Sequence, residues 1–157
     1  MAFDAAKFSS QSFSLREAEV PVENLAGFFA EGETPVFRVR GLSGAEIARA
    51  NEARDQAKNI GDLAAAIAGN SGSDKVTAIK EMLGLGENTP DDLIRRQAIA
   101  VHGIVEPKLD LDAVVKLAQF FPMEFYNLTN RILFLTGEGS VLGKQKRSTG
   151  TVASGAA

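Results

Sequence analysis

The chain has 157 residues, 45% of them apolar, which suits one domain with a modest core because much of that fraction is alanine. It contains no cysteine and no tryptophan, which excludes disulfides, thiol chemistry and cysteine-held metals. The net charge is −3, and without the three bases near its C-terminus the body stands near −6, a sign that repels nucleic-acid phosphate. No stretch approaches the roughly 18 uninterrupted apolar residues of a membrane span. The opening MAFDAAKFSS has no basic region followed by an apolar run, so no secretory signal is expected.

Residues 1–34 carry six acids against Lys7 and Arg16, with isolated Phe residues and no sustained period. They are expected to form an extended or partly ordered N-terminal segment. Val20 to Val22 is strand-like, and Pro21 argues for an edge or an extended arm. PVFRVRGL alternates, which predicts extended chain over 35–40. Val36, Arg38 and Arg40 then share one side, and Phe37 and Val39 the other.

Ser43 followed by Glu46 has capping-box spacing and opens a helix through GAEIARANEARDQAKNIGDLAAAIAG. Its apolar stripe is thin and alanine-rich, through Ile47, Ala50 and Ala57 and broken by Arg54, so it packs closely on a partner surface, is only partly covered, or orders only on assembly. GNSGS at 69–73 is a stop. A second helix is predicted in SDKVTAIKEMLGLG, with Val76, Ile79, Met82 and Leu83 inward. A third starts near Thr89 and Pro90, with Asp91 and Asp92 at its amide end. Leu93, Ile94, Gln97, Ala98 and Val101 form its inward side and leave Arg95 and Arg96 mostly in water.

IVEPK reads as a crossover through Pro107. Asp110 caps a fourth helix, DLDAVVKLAQFF, with Leu111, Val114, Val115 and Ala118 inward. Pro122 opens the last helix, where Phe121, Phe125, Leu128, Ile132 and Leu135 recur every three or four residues as the core face. Met123, Tyr126, Leu133 and Phe134 widen it. The expected fold is mainly α: a small bundle of four to five helices over residues 35–143. A flexible polar and basic tail follows from 144 to 157.

A search for chemistry returns little. GEGSVLGKQK at 137–146 looks like a phosphate loop, but Glu138 stands where the first glycine belongs and Gln145 where Ser or Thr should bind magnesium. His102 is the sole histidine and reads as structural or surface. Asp91 with Asp92, and Asp110 with Asp112, read as helix-start acids. No serine sits at a strand-to-helix elbow. No enzymatic activity, cofactor or metal is expected. Arg38 and Arg40 suit salt bridges with the acidic front segment or with a partner. Phe28, Phe29 and Phe37 either anchor a partner or fold back onto the bundle; the residues alone leave both open.

VFRVRGLSGAEIARANEA, followed by IVEPKLDLDAVVKLAQFFPMEFYNLTNRILFLTGEG, resembles the tail assembly chaperones of long-tailed bacteriophages over roughly residues 34–143. The resemblance implies a largely helical protein that holds the tape measure protein while the tail tube polymerises. Such a protein works in the host cytoplasm and is absent from the mature virion. It also implies a short product of programmed ribosomal frameshifting, with Gly143 and Lys144 near the slippage point and a longer product that recruits the tail tube protein. Self-association fits the same picture. The alternatives are a structural head or tail completion protein kept in the virion, or a DNA-associated regulator.

Overall fold

The computed structural model describes residues 2–68 and 91–143. The predicted helix at 73–86, the Thr89–Pro90 start, Lys144 and the 144–157 tail lie outside the described residues. Along the chain come α1 (Ala5–Ser10), β1 (Phe13–Ser14), β2 (Glu17–Pro21), a 3-10 helix (Glu23–Phe28), β3 (Val36–Arg40) and α2 (Gly44–Ala68). Then follow α3 (Asp91–Gly103), β4 (Ile104–Glu106), α4 (Leu111–Phe120), α5 (Pro122–Gly137) and β5 (Val141–Leu142).

The fold is mixed α/β, which corrects the expectation of a small helical bundle. Among the described residues there are two antiparallel sheets, a three-stranded one in the order β2-β3-β4 and a two-stranded ribbon of β1 and β5. The alternation in β3 holds: Phe37 and Val39 are buried, and Arg38 points outward. Its neighbour β2 pairs Val20 with Phe37 and Ala18 with Val39, so residues on both sides of position 34 belong to one sheet. Pro21 sits at the end of an edge strand, where its missing N–H costs no ladder bond. The segment read as a crossover supplies β4, which places Ile104 opposite Val39 and buries it.

One core joins sheet and helices. Val20, Val22, Leu25, Phe37 and Val39 meet Ile99, Ile104, Val114, Phe125, Leu128 and Ile132. From the predicted core face, Phe125, Leu128, Ile132 and Leu135 are buried, while Phe121 is half-buried at its edge. Met123 and Phe134 stand well exposed on α5, and Leu111 on α4 faces out while Leu117 takes the inward place. Helix α3 also differs from its reading: Ile99 and Ala100 are fully buried alongside Gln97.

Two close approaches set the packing. A Cβ on Gly103 would lie 2.6 Å from Ile132 Cδ1, so the end of α3 meets α5 where no side chain fits without displacing a core residue. A Cβ on Gly41 would lie 3.1 Å from the Leu135 backbone, and Leu42 N–H donates to Thr136 Oγ1 at 2.9 Å beside it. These contacts lock the exit of β3 against α5. The N-terminal arm differs: α1 buries nothing, and the arm joins the body through the β1–β5 ribbon, where Gly143 N–H donates to Ser12 O at 2.7 Å.

Candidate functional site

Among the described residues, the 3-10 helix and α4 flank an apolar groove of about 900 Å³. One bank is the 3-10 helix with the turn after it, which supplies Leu25, Phe28, Phe29 and Glu33. The other is α4 and its junction with α5, which supplies Ala113, Lys116, Leu117, Phe120 and Phe121. Glu106, Pro107 and Leu109 lie along the same groove, and Phe37 lies on its core side.

Local chemistry fixes both banks. The Glu124 carboxylate, buried on α5, accepts a hydrogen bond from Asn24 Nδ2, which ties the 3-10 helix to the body. Val22 N–H donates to Pro35 O at 2.8 Å and closes the base of the turn. On the opposite bank the Asp110 carboxylate accepts from Ala113 N–H at 2.9 Å and caps α4, as its sequence position predicts. Pro122 at the start of α5 ends α4 just after Phe120, so two adjacent rings meet the surface at one corner.

The rings divide by environment. Phe28 is 81% exposed and touches Phe121 edge-on at 6.4 Å between centroids. Phe120 is 63% exposed. Phe29 is half-buried and lies 6.1 Å from Phe37, which the core seals. Of the three aromatic residues singled out in the sequence, Phe28 and Phe29 border the groove with accessible surface, and Phe37 supports them from beneath. In the free chain Phe37 is thus sealed by the core and offers almost no surface of its own. Phe120 and Phe121 complete the site, and their sequence signal was a pair of rings placed against a proline where one face cannot hold both.

Arg38, Arg40 and Arg96 are engaged within the chain. Arg40 donates through Nη1 and Nη2 to the two Glu46 oxygens at 2.8 and 2.7 Å. Glu46 also accepts from Ser43 N–H at 3.1 Å and returns its own N–H to Ser43 Oγ, the capping box read from the sequence. In the free chain Arg40 is thus held in a bidentate pair. Arg38 reaches Glu106 at 3.1 Å, an open pair of small worth, and lies across from Glu19 in the sheet. Arg96, expected in water, instead donates to Thr129 and Asn130 on α5 and stacks 5.0 Å from the Tyr126 ring centroid. His102 lies with Nδ1 3.6 Å from Glu46, on the rim of the same cluster.

The Arg40 hydrogen bond, against the opposing cost of burial, holds the Glu46 carboxyl down from 4.5 to about 2. A depressed carboxyl stabilises the fold fully above its unfolded value and loses that contribution as pH falls through its folded value. Glu46→Gln is therefore expected to cost about 1–3 kcal/mol near neutrality. The gap between variant and parent should narrow between pH 4.5 and about 2. Denaturant melts across that range check this; a gap independent of pH contradicts it.

GEGSVLGKQK has a structural role rather than a phosphate grip as far as it is described. Gly137 ends α5, Gly139 takes φ +73° and accepts from Arg16 Nε at 3.1 Å, and Val141–Leu142 enter the ribbon. A helix thus precedes the motif, whereas a phosphate loop follows a strand. Among the described residues, no three His, Asp or Glu side chains cluster to hold a metal, and no helix is long and apolar enough to cross a membrane. Comparisons with known protein families, with curated proteins and with solved structures return no match.

Proposed function

We propose that this protein is a non-enzymatic chaperone that holds the tape measure protein of a long-tailed phage during tail assembly. It acts in the host cytoplasm, leaves before the virion is finished, and helps recruit tail tube subunits, chiefly through a longer frameshifted product. The observation that supports this reading is the open apolar groove, with the Phe28 and Phe120 rings in water at its rim. Covering one such ring returns roughly 1.5–3 kcal/mol. Contacts of that size suit reversible holding, because many copies on one long client gain by avidity what each lacks in affinity.

A second reading, a structural head or tail component retained in the virion, draws on the N-terminal arm. There Phe3, Phe8 and Phe13 stack at 5.4 and 5.2 Å, all well exposed, as a knob suited to permanent docking. One experiment separates the two. Co-expression is expected to carry a tape measure protein into the soluble fraction, and mass spectrometry of purified virions to find none of this chain. An insoluble client rejects the chaperone, and stoichiometric retention in virions selects the structural role.

A further inference from the structure

The groove carries information about what fills it. Three of its bordering backbone amides are already used: Phe29 N–H donates to Ala26 O, Glu33 N–H to Ala30 O, and Phe121 N–H to Leu117 O. Both edge strands of the neighbouring sheet run into proline, at Pro21 and Pro107, so neither offers a continued ladder to an extended peptide. An occupant that satisfies its own backbone, as a helix does, suits such a surface best.

Charge then distinguishes the two banks. Between Arg16 and Arg38 the chain holds five glutamates and no basic residue. Glu33 lines the groove, and Glu31 precedes it in the same turn. Among the described residues neither enters an ion pair, whereas Glu106 is matched by Arg38. The α4 bank contributes Lys116. One edge is thus acidic and the other carries a base.

We propose that the groove takes an amphipathic α-helix whose apolar face meets Phe28, Phe29 and Phe120, and whose flank along the Glu31–Glu33 edge carries Lys or Arg. This inference rests on the client-holding reading and adds the chemical class of the client segment. Anchors at i, i+3 or i+4, and i+7 place successive apolar side chains along such a groove. The flanking bases add selectivity, because each exposed pair contributes little on its own.

The test uses two labelled synthetic peptides of about 18 residues, long enough to form helix. They share one Leu/Phe face and differ only in Lys or Glu along one flank. Fluorescence anisotropy is read against the full chain and against the Glu31→Lys/Glu33→Lys variant. The Lys peptide is expected to bind about three- to tenfold more tightly at low salt, with the preference fading as salt rises. The charge-reversed variant is expected to prefer the Glu peptide. Equal affinities, or a Glu preference in the parent chain, overturn the proposal and leave client holding intact. Failure of both peptides, together with self-association abolished by deleting residues 2–14, overturns it in favour of a second copy's phenylalanine arm as occupant. An insoluble tape measure protein beside the expected peptide preference sustains this inference and rejects only the named client.

Discussion

Replacing Phe125 with alanine is expected to lower the unfolding free energy by about 3–5 kcal/mol. The ring is fully buried near the start of α5, within the cluster that joins the sheet to α3 and α4. It also meets Tyr126 edge-on at 5.5 Å, a contact alanine cannot make. Neighbours in a close-packed core collapse only partly into the vacated space. Against a typical total of about 5–15 kcal/mol, such a loss leaves little reserve. Phe134→Ala is the control, since that ring is more than half exposed on the same helix and its removal should change stability by only about 0.5 kcal/mol. Denaturant melts of the two variants give the comparison. Equal losses would mean that the core does not run through the inner face of α5.

Exchanging Phe28 and Phe120 together for serine is expected to weaken client binding about 10- to 100-fold while shifting stability by less than about 1 kcal/mol. Both rings are mostly in water in the free chain, so folding gains little from them and binding gains most. Phe29→Ser behaves differently. That ring is half-buried against Phe37, and its loss should damage folding and binding together. Calorimetry of each variant with a client segment, beside its thermal melt, separates the two effects. A double variant that binds as the parent does removes the groove from the account.

Much of the helical layout is legible because its signals are local. The Ser43–Glu46 box, the Asp110 cap, the proline opening α5 and the three-or-four spacing through Phe125, Leu128 and Ile132 each act within one or two turns. The alternation in β3 is equally local. What escapes the sequence is set by distant chain. The β4 strand has three residues, too few to show a period, and its partner β3 lies far upstream. The β1–β5 ribbon pairs two residues near the N-terminus with two that follow the last helix. The local pattern of this mixed fold therefore resembles that of a bundle.

Helix α3 shows a different limit. A single inward face suits a helix with one neighbour, but α3 meets α2, through Arg95 to Asn51 at 2.7 Å, and α5, through Arg96 to Thr129. Packing on two sides buries Ile99 and Ala100 as well as Gln97, and it draws Arg96 out of water. The groove was half visible for the same reason. Phe28 and Phe29 stood out as aromatic residues in a polar stretch, whereas the opposing bank forms only when the fold brings Phe120 and Phe121 across from them.

In the proposed complex the client lies between the 3-10 helix and α4. Site-specific photo-crosslinking during co-expression with a tape measure protein tests it most directly, with the reactive group placed in turn at positions 28, 120 and 134. Crosslinks are expected from 28 and 120 and none from 134, which is exposed on α5 outside the groove. Crosslinks from 134 with none from 28 or 120 would contradict it.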